Sequence, residues 1–147
     1  MPRYEKPDWL TKNVFNPAIS FDTRLGLSMR GSRVLVVRGR KTGQPHSNPV
    51  NPLTVDGARY LVAPRGDTHW SRNLRAAGEG ELRLGRKTEP FRAEEIADDA
   101  KPPLLREYLK RWKMETAKFF EGVTDASPDE EIRRIAPNHP VFRISGE

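Results

Sequence analysis

Three prolines set the tightest limit on how this chain folds. Pro45, Pro49 and Pro52 follow closely on the apolar run Val34-Leu35-Val36-Val37, which reads as a buried strand. Proline has no N–H to give to a β-ladder, so a segment carrying three of them does not belong in the middle of a sheet. Residues 46–55 are therefore predicted to form an edge or bulged strand whose free backbone groups turn toward a ligand. Asp56-Gly57 is a strong two-residue hairpin signal, and Arg59-Tyr60-Leu61-Val62-Ala63-Pro64 returns antiparallel.

Between strand and prolines runs the stretch Gly39-Arg40-Lys41-Thr42-Gly43-Gln44-Pro45-His46-Ser47-Asn48-Pro49-Val50-Asn51. Glycine reaches positive φ at little cost, so a loop bracketed by Gly39 and Gly43 turns sharply and aims successive N–H groups at one point. Two cations and a hydroxyl in that loop suit a phosphate or carboxylate. They also suit a plain basic turn. Gly85-Arg86-Lys87-Thr88 repeats the tetrapeptide between two other strand-like runs, and only the continuation separates the copies: Gly-Gln-Pro-His-Ser-Asn-Pro-Val after the first, Glu-Pro-Phe after the second. Neither is a Walker-type loop, which needs Gly-Lys-Ser/Thr four residues after a glycine.

The remaining punctuation is helical as well as extended. Asn16-Pro17 reads as an N-cap and first helical position, with Ile19, Phe21, Leu25, Leu27 and Met29 before Gly31 ends the run. Thr68 or Asp67 caps a short helix that stops near Gly78. Its Trp70, Asn73 and Leu74 share one face; that face either anchors the core or fixes a loop around an anion. Residues 81–84 and 87–96 form a second hairpin-like pair. A longer helix is predicted over residues 102–120, with Leu105, Tyr108, Leu109 and Trp112 as its apolar stripe. Ser127-Pro128-Asp129-Glu130 reads as a capping box opening a helix to Ile135, and residues 140–144 form a last strand. Together these predict a mainly β fold with helices (α+β), a small split antiparallel barrel with flanking helices. One domain over residues 1–147 is expected: an N-terminal helical segment 1–31, a barrel core 33–97, helices 101–136 and a last strand 140–145.

Composition narrows the chemistry. Charged residues make up 31% of the 147 and hydrophobic ones 35%, as in a soluble globular chain. Cysteine is absent, which removes disulfides, thiolate metal sites and cysteine nucleophiles together. His46, His69 and His139 lie far apart in sequence without ligand spacing, so no metal is expected. The serines have no evident base beside them, and Asp98-Asp99 reads as turn residues. With neither apolar leader nor spanning run, the expectation is a cytoplasmic protein without a transmembrane segment. Residues 1–75 carry 13 Lys/Arg against 5 Asp/Glu, and residues 76–147 carry 13 against 15. The positive field travels with the half that holds the glycine loop, as in a polyanion-binding half, although charge excess also serves solubility. An enzyme of this kind relies on an organic cofactor for its reaction.

Strand, Gly39-Arg40-Lys41-Thr42-Gly43-Gln44-Pro45, Asn48-Pro49-Val50, Asp56-Gly57-x-x-Tyr60 and then Trp70-x-x-Asn73-Leu74-Arg75-Ala76 together resemble the deazaflavin-dependent nitroreductase family. Its members are split-β-barrel reductases of actinobacteria that use coenzyme F420. The match covers residues 35–96. The resemblance implies a reductase passing hydride from reduced deazaflavin to an electron-poor acceptor: a quinone, an enone or a nitro compound. It implies that Arg40, Lys41, Thr42 and Gly43 hold the cofactor phosphate with His46, where relatives often have arginine. Pro49 and Val50 would line the ring, Arg65 would meet the tail or phosphate, and Trp70, Asn73 and Ala76 would complete the pocket. Relatives that reduce bicyclic nitroimidazoles have tyrosine where Asn51 stands, serine where Pro64 stands, and tyrosines near Phe119 and Phe120, so these four positions are candidates for the acceptor pocket and a nitroimidazole role is doubtful. The implied partners are small molecules, cofactor and acceptor, in a monomer or homodimer. An FMN-binding barrel of the same shape is the first alternative. A basic nucleic-acid-binding barrel is the second; against it, Tyr60, Trp70 and Phe91 sit in dissimilar contexts instead of forming a stacking platform, and no nucleic-acid partner is expected.

The duplicated tetrapeptide supplies its own control. Lys41→Ala should weaken deazaflavin binding by roughly 1–3 kcal/mol through loss of a charge-assisted contact, while Lys87→Ala leaves the measured Kd unchanged. Equal losses in both would mean a diffuse positive field and no specific loop.

Overall fold

A computed structural model describes residues 31–146; the helix expected around Asn16-Pro17 lies outside them. The described chain forms seven strands: β1 (Arg33–Arg38), β2 (Pro45–Val50), β3 (Leu53–Val55), β4 (Ala58–Val62), β5 (Glu79–Leu84), β6 (Lys87–Glu95) and β7 (Val141–Ser145). Helix α1 (His69–Ala77) separates β4 from β5. Helices α2 (Pro102–Arg111), α3 (Lys113–Thr116) and α4 (Asp129–Ile135) lie between β6 and β7. None of the described helices is long and apolar enough to cross a membrane.

All strand pairs are antiparallel, in the order β2-β1-β5-β6-β7-β4-β3. The proline-bearing segment is an edge, and it is cut in two: β2 and β3 stand at opposite margins of the sheet although only Asn51 and Pro52 separate them. Two intervening residues span at most about 11 Å between the flanking Cα atoms. The margins must therefore approach each other, which curls the sheet into a split barrel. Side chains agree. Leu35 and Val37 of β1, Val50 of β2, Leu61 of β4, Leu82 of β5, Phe91 of β6, and Phe142 and Ile144 of β7 meet in one buried cluster. Six strands cannot share a single cluster on a flat sheet. Leu74 of α1 joins them, with Trp70 packed alongside.

Alternation along the strands builds a second core on the outer face. Leu61 points into the barrel while its neighbour Val62 points out, and Phe142 points in while Val141 points out. The outward residues meet Leu105, Tyr108, Leu109 and Trp112 of the α2 region and Ile132 and Ile135 of α4. Complete burial of such side chains contributes about 1.5–3 kcal/mol each.

Local signals fared unevenly. Asp56 and Gly57 take φ of 51° and 82°, as a type I′ hairpin turn requires. The single helix expected over residues 102–120 is broken: α2 ends at Arg111, Trp112 takes φ −116° and ψ 27°, and a 3-10 turn over Ala117–Phe119 follows α3. The break falls where the buried Trp112 indole donates Nε1–H to the Pro52 carbonyl at 3.1 Å, tying the helical layer to the β2–β3 link. The expected capping box does not form. Pro128 occupies the N-cap of α4 without a side-chain cap bond, and the Ser127 hydroxyl accepts the Thr124 N–H at 2.8 Å instead. The helix starts one residue later than a serine cap needs.

His139 is buried in the outer core, stacked on Phe120 with ring centroids 4.3 Å apart. Its Nδ1 lies 3.1 Å from the Ala63 carbonyl, which only accepts, so Nδ1 carries the proton. Burial is the main cause holding its pKa below the ordinary 6.5, outweighing the Ala63 hydrogen bond.

Two measurements follow. Trp112→Phe, which removes the bond to Pro52, should lower unfolding free energy in urea by about 1–2 kcal/mol. As pH falls, the unfolded chain protonates His139 before the folded chain does. Stability from the neutral ring is thus complete above about pH 6.5 and drains away below it. The urea midpoint should fall between about pH 7.5 and about pH 5.5, and His139→Phe should flatten that slope; an unchanged slope would contradict this.

Candidate functional site

The two copies of Gly-Arg-Lys-Thr fold differently. In the second, Gly85 (φ 59°) and Arg86 make the two-residue turn between β5 and β6, leaving Lys87 and Thr88 in a strand. In the first, residues 39–44 form a six-residue loop between β1 and β2. Gly39 N–H donates to the Gln44 carbonyl at 2.7 Å, and Gly43 N–H donates back to Gly39 at 3.0 Å. Gly43 uses positive φ, 77°. Gly39 is needed for space: a Cβ there would stand 2.7 Å from the His46 ring. Thr42 Oγ1 accepts the Gln44 N–H at 3.2 Å, and Arg38 Nε–H reaches the Gly43 carbonyl at 3.3 Å. The loop is closed on itself, with Lys41 and Thr42 exposed at its tip.

Helix α1 meets this loop. Its C-terminus is stopped by Gly78 in the left-handed region, as anticipated. Its N-cap is Thr68, without a side-chain cap bond. Asp67 instead accepts the Ser71 hydroxyl at 2.7 Å and pairs with Arg75, which also binds Glu95 of β6 at 2.6 Å. Burial alone would raise the Asp67 pKa, but hydrogen bonds from Ser71 and Arg75, with the charges of Arg75 and Arg72, outweigh it and hold it below the usual carboxylate value. Asn73, 3% exposed, turns to the loop. Its Oδ1 accepts from the Arg40 backbone N–H at 3.1 Å and from Arg40 Nη1 at 2.7 Å.

The resulting cleft, about 400 Å³, is walled by Gly39, Arg40, Lys41, Thr42, His46, Ser47, Asn48, His69 and Asn73. No carboxylate stands among these residues. A larger cavity of about 830 Å³ lies between the β3–β4 hairpin and α2; Arg33, Arg59, Lys110 and Arg111 share it with two carboxylates, Glu89 paired to Arg59 and Glu107 to Lys110. The smaller cleft is the better anion receptor.

Other predicted residues lie elsewhere. Trp70 faces the barrel interior, 6.2 Å from Phe142; Val50 is a core residue. Pro49 and Ala76 are exposed and line none of this cleft. Arg65, Pro64 and Phe119 come together in a separate cleft of about 400 Å³ with Gly66, Glu121, Asn138 and His139. There the Arg65 guanidinium lies 4.8 Å over the Phe119 ring, so Arg65 is not part of the loop cleft. Phe120 is fully buried, and Asn51 accepts the Ser32 hydroxyl at 2.6 Å. Sequence reasoning missed His69, Ser47 and Asn48. His69 was within reach, since it precedes Asn73 by four residues and so shares its helix face. Tyr60 and Phe91 pack with the two cores, so among the described residues they form no exposed stacking row for nucleic-acid bases.

The comparisons bear on fold and family. No curated protein matches the chain. Among solved structures, an F420-H2 dependent reductase, FDR-A, superposes with a TM-score of 0.54 at 19% identity, covering 79% of this chain and 95% of that one. A protein of unknown function from Agrobacterium tumefaciens, Atu2129, gives 0.59 at 18%, covering 100% and 59%. HutZ, the heme storage protein of Vibrio cholerae, gives 0.53 at 10%, covering 90% and 89%. At these identities they speak for the split-barrel fold alone. The family match is more specific: the pattern of the F420H(2)-dependent quinone reductases fits residues 9–129. It leaves the FMN alternative without support. The chain thus belongs to the F420H(2)-dependent quinone reductase family, an oxidoreductase with coenzyme F420 as its cofactor.

Proposed function

We propose that this reductase acts on quinones or similarly electron-poor conjugated carbonyls, and that the loop cleft between β1, β2 and α1 holds the phosphodiester of coenzyme F420. One observation carries the reading: the Asn73 amide oxygen fastens both backbone and guanidinium of Arg40, so that loop and helix form one cation-walled cleft. The residues present fit the group. The coenzyme is a polyanion with a phosphodiester and an oligoglutamate tail, and the cleft offers Arg40, Lys41, Thr42 and His46 without a competing carboxylate. Bound in reduced form, the deazaflavin supplies a hydride to the acceptor.

The protein's share is placement. Asn73 engages one guanidinium nitrogen of Arg40, leaving the others for an anionic oxygen and fixing the side chain before the ligand arrives, which spares ordering entropy. Lys41, exposed at the loop tip, adds a cation, and Thr42, whose oxygen accepts from Gln44, keeps its O–H to donate. The acceptor is placed in the second cleft, beside Pro64 and Phe119. The Arg65 guanidinium over the Phe119 ring offers a flat, cationic surface for a planar, electron-rich oxygen. Neither Pro64 nor Phe119 carries a hydroxyl, which favours quinone over nitroimidazole.

Asn73→Ala should weaken binding of oxidised coenzyme F420, followed by fluorescence titration, about tenfold, with the circular dichroism spectrum unchanged. Arg65→Ala should raise KM for a simple benzoquinone while leaving the coenzyme Kd alone. Wild-type affinity in Asn73→Ala would overturn the placement of the phosphate, and a coenzyme Kd that moved in Arg65→Ala would overturn the separation of the two clefts.

A further inference from the structure

His46 and His69 are far apart in the chain, yet both stand on the wall of the loop cleft, one from β2 and one from the first turn of α1. Both are exposed. The His46 ring lies over Gly39, in space that a Cβ there would take. His69 sits on the same helix face as the buried Asn73, which fixes the helix against the loop. From these placements we infer that His69 is a further ligand for an anionic oxygen of the coenzyme, and that with His46 it couples coenzyme binding to proton uptake. The inference rests on the proposed location of the phosphodiester.

The charged surroundings support proton uptake on binding. The loop contributes Arg40 and Lys41 to the wall; β2 contributes His46; α1 contributes His69, with Arg72 one turn further on. The wall thus sets two imidazoles beside the side chains of Arg40 and Lys41. Asp67, two residues before His69, is taken up by Ser71, Arg72 and Arg75. A bound phosphodiester or tail carboxylate brings in an opposite charge, which beside an imidazole favours its protonated form. Histidine is the side chain whose charge changes most readily between pH 5 and pH 8, so the two rings turn an anion-binding cleft into a proton-linked one. A cleft of arginines and lysines alone would bind with little regard to pH in that range.

The experiment is calorimetric titration of the full chain with oxidised coenzyme F420 at about pH 6 and about pH 8, each in two buffers of different ionisation enthalpy, so that protons taken up are counted directly. The deazaflavin riboside core, which has the same ring hydroxyl but neither phosphodiester nor tail, is titrated in parallel to remove the ring's own titration. The expected result is a Kd for the coenzyme that rises roughly three- to tenfold across this range with net proton uptake at the lower pH, and a riboside Kd without that component. His69→Gln and His46→Gln each remove part of the uptake, and the double variant abolishes it. A coenzyme shorn of its glutamate tail assigns His69: if uptake persists, it meets the phosphodiester; if His69→Gln then has no further effect, it meets the tail. Tight binding with no pH slope, or a double variant that keeps the full slope, overturns the inference while leaving the phosphate site intact. Absence of coenzyme binding at either pH overturns the assignment of the cleft and this inference with it.

Discussion

One amide organises the functional end of this molecule. Asn73 is buried, and its side-chain oxygen takes two hydrogen bonds from a single residue of another element, the backbone N–H and the guanidinium of Arg40. A buried carbonyl left without donors is costly, on the order of 1–3 kcal/mol. The contact therefore satisfies a polar group in α1 and fixes a cation in the loop at once. Everything proposed for the cleft presupposes it: the direction of Arg40, the opposition of loop and helix, and the shared wall that brings in His69.

The barrel exists to hold that contact still. Leu74, next to Asn73, is fully buried among side chains from six strands, so α1 cannot roll without emptying the interior. Arg75 ties the same helix to Glu95 on β6 and to Asp67 before its first turn. These are exposed pairs, each contributing little to stability, but they restrain rotation where Leu74 restrains depth. On the other side, β1 and β2 pair over their whole length from Arg33↔Val50 to Arg38↔Pro45, which fixes both feet of the loop.

Much of this was legible in the chain and some was not, for identifiable reasons. Prolines 45, 49 and 52 announced an edge, and Asp56-Gly57 announced its hairpin, because both act through local backbone chemistry. The i, i+4 relation of His69 and Asn73 was equally local and was overlooked. What local chemistry cannot carry is pairing order: nothing in Asn51-Pro52 says that the strands on either side lie at opposite margins. The same gap bears on Arg65, which the resemblance assigned to the tail or phosphate and which the topology puts beside Phe119. It explains Val50, a core side chain on an otherwise exposed strand, and Phe120, which turns inward while Phe119 stays at the surface. The break at Trp112 needed knowledge of Pro52, which lies 60 residues away. Identical tetrapeptides at residues 39–42 and 85–88 make the point most simply: loop length, not composition, decided which became a loop on the cleft and which a tight turn.

Strand β2 also bears on how copies of the protein behave toward one another. A free sheet margin invites a neighbouring chain to add a strand of its own and so to start a growing, insoluble stack. Here that margin carries Pro45 and Pro49 within six residues. A visiting strand would find the ladder interrupted and the rings in its path. Among the described residues, the segment that borders the cleft thereby also makes this margin a poor template for a further strand.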